Sequence, residues 1–218
     1  MASAKPTLGA RCFYLCTPDR PDLAEFLDAC IRGGVDIVQL RDKHADARTV
    51  LARAAVARDV CRDHGVPFIL NDRADLALEC DADGVHVGQN DAPPSLVRRL
   101  LGAGKIVGLS TRGGAQLAAA AHQPVDYVSV GPVHATATHP ERAPIGLDGL
   151  RTAAASAPLP FVVTGNVTPE TIGPMLAAGA TRFVVVRWLT EASDPFAAAQ
   201  ELRACIDSDG AAVPPTGP

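Results

Sequence analysis

Two aspartates carry the first chemical signal in this chain. Asp72 ends the run Phe68-Ile-Leu-Asn-Asp-Arg73, and Asp91 ends Gly84-Val-His-Val-Gly-Gln-Asn-Asp91, nineteen positions later. That spacing suits one strand-helix unit, so both carboxylates reach neighbouring strand ends on one rim of a parallel sheet. A hard cation such as Mg²⁺ takes oxygen ligands of this kind. The preceding apolar run closes on Gln39-Leu-Arg-Asp-Lys43, whose Arg41 and Lys43 suit phosphate oxygens. One aspartate at a strand end is as readily a helix N-cap. The pair, with two bases beside it, points instead to magnesium and pyrophosphate.

These residues need a scaffold that repeats. Short apolar runs recur at Cys12-Phe-Tyr-Leu-Cys16, Val35-Asp-Ile-Val-Gln-Leu40, Pro67-Phe-Ile-Leu70, Gly84-Val-His-Val87, Lys105-Ile-Val-Gly-Leu109, Asp126-Tyr-Val-Ser-Val130, Pro160-Phe-Val-Val163 and Arg182-Phe-Val-Val-Val186. Near-continuous apolar runs fit strands covered on both faces. Between them the period becomes helical, as in Leu23, Phe26, Leu27, Cys30 and Ile31, then in Val50, Leu51, Ala54, Ala57 and Cys61. Gly33 and Gly65 are expected as left-handed caps, and Thr168-Pro169 and Asp194-Pro195 as helix starts. Eight alternations predict an α/β fold, a single-domain (β/α)₈ TIM barrel over residues 11–206. An open doubly wound sheet is the rival, but it concentrates its site at one switch point. Residues 1–10 read as an N-terminal extension and 207–218 as a disordered tail.

In such a barrel the strand ends make the catalytic face. Residues closing the runs are Gln39, Arg41 and Lys43; Asn71 and Asp72; Gln89 and Asp91; Ser110 and Thr111; Thr136, Ala137, Thr138 and His139; Gly165 and Asn166; Val186 and Arg187. The segment from Gly131 to Gly146 is long for a strand-helix turn and is expected to act as a lid. Gln39 is an amide inside an apolar run and needs a partner. His86 is expected to point into the barrel, held by a hydrogen bond, while His44, His64 and His122 read as surface residues.

Composition sets the outer limits. The chain has 218 residues, 47% hydrophobic and 20% charged, with a formal net charge of −4. That balance gives no footprint for nucleic acid or an anionic membrane. The six cysteines lack zinc or redox spacing and read as buried thiols. No apolar run reaches the roughly 20 residues of a membrane span, so a cytoplasmic compartment is expected. The expected partners are small molecules, for a monomer or a homo-oligomer.

In this order the strand-end motifs resemble the thiamine-phosphate synthase family. The match runs from about Phe13 to Pro195 through Gln39-Leu-Arg-Asp-Lys43, Asn71-Asp-Arg73, Asp83-Gly-Val-His-Val-Gly-Gln-Asn-Asp91, Val107-Gly-Leu-Ser110 and Gly131-Pro-Val-His-Ala-Thr-Ala-Thr138. The resemblance implies coupling of 4-amino-5-hydroxymethyl-2-methylpyrimidine diphosphate to 4-methyl-5-(2-phosphoethyl)thiazole, with Mg²⁺ on Asp72 and Asp91. It also implies that Gln39, Leu40, Arg41, Asp42, Lys43 and Asn71 surround the pyrimidine diphosphate and that Ser110 contacts the pyrimidine. Arg41, Lys43 and Ser110 would serve the reaction itself. Thr136, Ala137, Thr138, Gly165, Asn166, Val186 and Arg187 would line the thiazole-phosphate side. Three positions depart from the pattern: His139 stands for a lysine, Asn166 for the second glycine of a pair, and Arg187 for a serine. The competing expectations are a thiazole tautomerase, using His134 or His139 for proton transfer, and a non-catalytic binding protein of the same fold.

Overall fold

The computed structural model describes residues 8–137 and 142–210. Eight parallel strands close on themselves in sequence order: β1 (Phe13–Thr17), β2 (Ile37–Leu40), β3 (Phe68–Asn71), β4 (Gly84–Val87), β5 (Ile106–Thr111), β6 (Tyr127–Val130), β7 (Phe161–Val163) and β8 (Phe183–Val185). The helices between them are α1 (Leu23–Arg32), α2 (Ala47–Asp63), α3 (Ala74–Glu79), α4 (Pro94–Leu101), α5 (Gly114–Ala120), α6 (Gly146–Ser156) and α7 (Pro169–Ala177). After β8 come the short α8 (Arg187–Thr190) and then α9 (Pro195–Gly210). The closed barrel is the expected fold; α8 is an element the periodicity did not reveal.

The two faces of each strand have separate jobs. Outward residues such as Leu15, Val38, Leu40, Val85, Val107, Val128 and Val163 pack against the helices in one continuous core. Inward, Tyr14, Ile37, Ile69, Ile106, Tyr127 and Val162 fill the lower barrel as a second cluster, which Leu8 joins. Leu8 is 5% exposed, so the stretch read as an extension already contributes to the core. Higher in the barrel the inward positions of four strands turn polar: Gln39 on β2, Asn71 on β3, His86 on β4 and Ser129 on β6 are all buried. A strand's period of two therefore stacks an apolar plug beneath a polar floor.

The lower rim holds stability, not chemistry. Asp36 accepts from the N–H groups of Cys12 and Phe13 (3.0 and 2.9 Å), Asp83 from Phe68 N–H (2.9 Å) and Asp126 from Val107 N–H (2.8 Å). These carboxylates satisfy strand-opening amides that the ladder leaves unpaired.

Several expectations shift in detail. Gly65 is left-handed (φ 67°), but Gly33 caps α1 with φ −76°, and Gly34 takes the positive φ of 116° instead. Gly33 is needed for space: a Cβ there would lie 2.5 Å from Ala199 Cβ, where α1 meets α9. Asp194 caps α9 by accepting from Ala197 N–H at 3.0 Å. That helix continues to Gly210, so Asp207, expected to begin a disordered tail, is helical and pairs with Arg203 at 2.9 Å. The six cysteines are free thiols. Among the described residues no helix is long and apolar enough to cross a membrane.

Candidate active site

The polar floor opens into two adjoining cavities at the C-terminal ends of the strands. The inner one, about 140 Å³, is lined by Tyr14, Gln39, Asn71, His86, Ser110 and residues of the β6, β7 and β8 ends. The outer one, about 360 Å³, is lined by Lys43, Asp72, Asp91, Gln89, Arg112 and Gln116 among others. Arg41, Asn71, Ser110, Thr111 and Arg142 border both, so one ligand could span them.

The acid pair forms as the spacing implied. β3 and β4 are neighbours, with Asn71 opposite His86, and the Asp72 N–H donates to the His86 carbonyl at 2.8 Å. Asp72 then turns the chain into α3 with φ 61°, a left-handed conformation that aspartate tolerates better than most residues. Its carboxylate meets the Asp91 side chain. Burial, followed by the neighbouring Asp91, raises the Asp72 pKa, while Lys43 at 3.0 Å opposes the shift. Asp91 Oδ2 also accepts from Gly88 N–H at 2.7 Å, which holds the β4 loop closed. Among the described residues no group of three or more His, Cys, Asp or Glu side chains is arranged for a metal. The pair alone supplies two oxygen donors.

Basic side chains surround this pair. Arg41, Lys43, Arg112 and Arg142 line the outer cavity, four cations against the carboxylates of Asp72 and Asp91. Arg112 and Arg142 were missed in the sequence reading. The signal was available, since Arg112 follows the β5 run and Arg142 lies in the long connection. Arg112 also donates to the Ala143 carbonyl at 3.2 Å, joining the β5 end to that connection.

Beneath the cavities runs a chain of hydrogen bonds. Gln39 Nε2 donates to Tyr14 Oη (2.7 Å), Tyr14 Oη lies 2.9 Å from Tyr127 Oη, Tyr127 Oη 2.9 Å from His86 Nδ1, and His86 Nε2 2.9 Å from Ser110 Oγ. The amide and the histidine thus find the partners expected of them. Burial pushes the Tyr14 phenol and Tyr127 phenol up, and pushes His86 down to about 4. His86 is therefore neutral at pH 7.

This has a consequence for acid stability. A histidine that titrates near 6.5 when unfolded and near 4 when folded leaves the unfolded chain binding more protons between those values, so stability falls as the pH drops from 6.5 to 4. The shift corresponds to about 3 kcal/mol. Urea unfolding of wild type and His86→Gln at pH 7 and pH 4.5 measures it: the wild type should lose more stability than the variant, and equal losses would contradict the buried neutral imidazole.

The far side of the inner cavity comes from β6, β7 and β8. Thr136, Gly165, Asn166, Val186 and Arg187 line it. Ala137 is exposed and lines neither cavity, and Thr138 and His139 lie outside the described residues. Gly165 has φ 111°, and a Cβ there would lie 2.4 Å from the Val133 amide nitrogen, so glycine lets two loop backbones meet. Asn166, in place of a second glycine, has φ 53°, the left-handed conformation that asparagine adopts most readily after glycine. Arg187 directs its guanidinium to Glu191 at 2.8 and 3.1 Å, largely in solvent.

Two residues expected at the substrate have side chains engaged elsewhere in the fold. Leu40 points outward into the core between sheet and helices, as an odd-numbered step from Gln39 must. Asp42 accepts from the N–H groups of His44 and Ala45 (3.0 and 3.1 Å) and shapes the loop that presents Lys43. His134, proposed for proton transfer, lines neither cavity and buries Nε2 without a partner. His64 bonds to Asp28 at the surface.

Comparison with known proteins gives a consistent match. Residues 13–189 fit the family model described as thiamine monophosphate synthase. A thiamine-phosphate synthase of Thermobifida fusca is 50% identical over 87% of this chain and 89% of the relative, and one of Mycolicibacterium smegmatis is 44% identical over 90% and 92%. Among solved structures, thiamine phosphate pyrophosphorylase from Pyrococcus furiosus superposes with a TM-score of 0.83 at 27% identity, covering 90% of this chain and 96% of that one. A 3-hexulose-6-phosphate synthase shares the fold alone, with a TM-score of 0.65 at 24% identity. With a family model matched over most of the chain, relatives 44–50% identical over nearly their full length and the same barrel in a solved structure, the chain belongs to the thiamine monophosphate synthase family.

Proposed function

We infer that the protein is a transferase that joins 4-amino-5-hydroxymethyl-2-methylpyrimidine diphosphate to 4-methyl-5-(2-phosphoethyl)thiazole, forming thiamine phosphate and releasing pyrophosphate. The observation that carries this reading is the Asp72–Asp91 carboxylate pair, held against Lys43 in a cavity with three arginines. Two facing carboxylates beside an excess of cations suit a metal-diphosphate group better than a bare anion.

Magnesium fits the residues present. It binds through one or two carboxylates and completes its shell with water and substrate phosphates, and Asp72 and Asp91 provide that oxygen set. When bound, the ion would lower the charge developing on the departing pyrophosphate. Arg41, Lys43, Arg112 and Arg142 would hold the diphosphate oxygens, the arginines in forked geometry and lysine as a point charge. Arg112 and Arg142 add positive charge to the outer cavity in a chain that carries His139 where the family pattern has a lysine. The C–O bond to the pyrimidine methylene breaks with its electron pair leaving on pyrophosphate. The electron-rich aminopyrimidine delocalises the resulting cation, and the thiazole nitrogen donates its lone pair to form the new C–N bond. No protein nucleophile takes part, and the inner cavity has only to align the two rings.

Thr136, Asn166 and the β8 end then fall to the thiazole phosphate. Arg187 reaches that phosphate only by leaving Glu191. The isomerase alternative is weaker because the Asp72–Asp91 pair with Arg41 and Lys43 suits a metal-diphosphate that an isomerase does not require, and His134 lines neither cavity. Six free cysteines, four buried and Cys12 and Cys205 partly exposed, agree with a cytoplasmic setting.

Both substrates mixed with the purified protein should give thiamine phosphate and pyrophosphate in equal amounts with Mg²⁺ and almost none after chelation. Chromatographic detection of both products checks this; no coupling with Mg²⁺ present would falsify the reading.

A further inference from the structure

The buried hydrogen-bond chain under the inner cavity has a direction, and that direction reaches the ligand. Gln39 already donates to Tyr14 Oη, while its Oε1 accepts from the Cys16 thiol at 3.6 Å. Each phenol carries a single proton. With Gln39 as donor, every group is satisfied only when Tyr14 donates to Tyr127 and Tyr127 donates to His86 Nδ1. His86 then keeps its proton on Nε2 and donates to Ser110 Oγ. The Ser110 proton is left for the cavity.

Two further observations support a built arrangement. Gly108 has no Cβ where one would lie 2.3 Å from Tyr127 Cζ and 2.4 Å from His86 Nδ1, so the missing side chain makes room for the Tyr127–His86 bond. Asn71, 9% exposed and bordering the same cavity, presents an Nδ2 with no hydrogen-bond partner. Ser110 and Asn71 together give the cavity two donors awaiting acceptors.

We propose that Tyr14, Tyr127 and His86 are positioning residues that fix the Ser110 hydroxyl as a hydrogen-bond donor toward a ring nitrogen of the aromatic substrate in the inner cavity. Identifying that substrate as the aminopyrimidine rests on the transferase reading; the polarity of the chain does not. A donor locked in place discriminates against a ring that presents C–H at the same point, because the hydroxyl would then be buried without an acceptor. The imidazole acts here by tautomer rather than by proton transfer, and its buried neutral state suits that role.

The test has two readouts. Nitrogen NMR of the ¹⁵N-labelled wild-type protein should show His86 as one tautomer with its proton on Nε2. Tyr127→Phe removes the donor to Nδ1, so the two tautomers should mix. The same variant should raise KM for the pyrimidine diphosphate about fivefold, within the worth of one hydrogen bond, and leave KM for the thiazole phosphate unchanged. A wild-type proton on Nδ1 overturns the proposal, as does a variant that shifts neither constant or both equally. The wild-type spectrum decides the polarity even if the variant does not fold. Absence of product from the wild type would instead sink the transferase reading, and the tautomer would still decide the chain.

Discussion

Asp72→Ala lowers kcat for thiamine phosphate formation about a thousandfold while leaving thiazole-phosphate affinity within about twofold, the pattern expected when a group acts on the leaving diphosphate alone. Asp91→Ala behaves in the same way. The reason is local: both carboxylates face the outer cavity, and neither borders the inner one on the β7 and β8 side. Folding provides the control. Burial and the nearby Asp91 raise the Asp72 pKa, so holding the pair ionised opposes the folded form. Asp72→Asn should therefore unfold no earlier than wild type in magnesium-free urea titrations, even as turnover is lost. A site that is costly when empty and needed when filled is the usual exchange of stability for function. Titration calorimetry with the thiazole phosphate, alongside steady-state rates, separates the effects; equal losses in affinity and turnover would remove the metal role.

Gly108→Ala is expected to destabilise the protein by about 3 kcal/mol, at the upper end for overpacking a well-filled core. The glycine has an ordinary backbone conformation, so strain is not the cause. The added methyl meets the Tyr127 ring and the His86 imidazole, both buried and bonded to each other. Neither ring can yield without breaking the hydrogen-bond chain across the barrel floor. Chemical denaturation gives the stability loss, and a normal midpoint would show that the floor is looser than its geometry implies. Surviving folded variant should also show the mixed His86 tautomers expected of Tyr127→Phe, since both substitutions act on one bond.

The comparison between sequence and structure divides along the range of the interactions. Strand and helix identity was readable because a buried strand and an amphipathic helix each write their own period into adjacent residues. Parallel strands in chain order then place every strand end on one rim, so Asp72, Asp91, Arg41 and Lys43 could be gathered from position alone. The same logic reached Gln39 and His86, since a polar group in an apolar run must be satisfied.

What no local pattern contained was the identity of those partners. Tyr14 and Tyr127 are 113 positions apart and meet because the barrel closes. The spaces kept open by Gly33 and Gly108 likewise depend on which neighbour arrives from across the fold. The family resemblance put Leu40 and Asp42 at the site, but only the structure shows that strand alternation turns the first side chain outward and that the second caps its own loop. By itself, then, the sequence determined the barrel, its polar rim and the acid pair, because those follow from short-range periodicity. The tertiary structure alone decided the packed glycines and the hydrogen-bonded chain from Gln39 to Ser110, because those arise where distant strands are forced into contact.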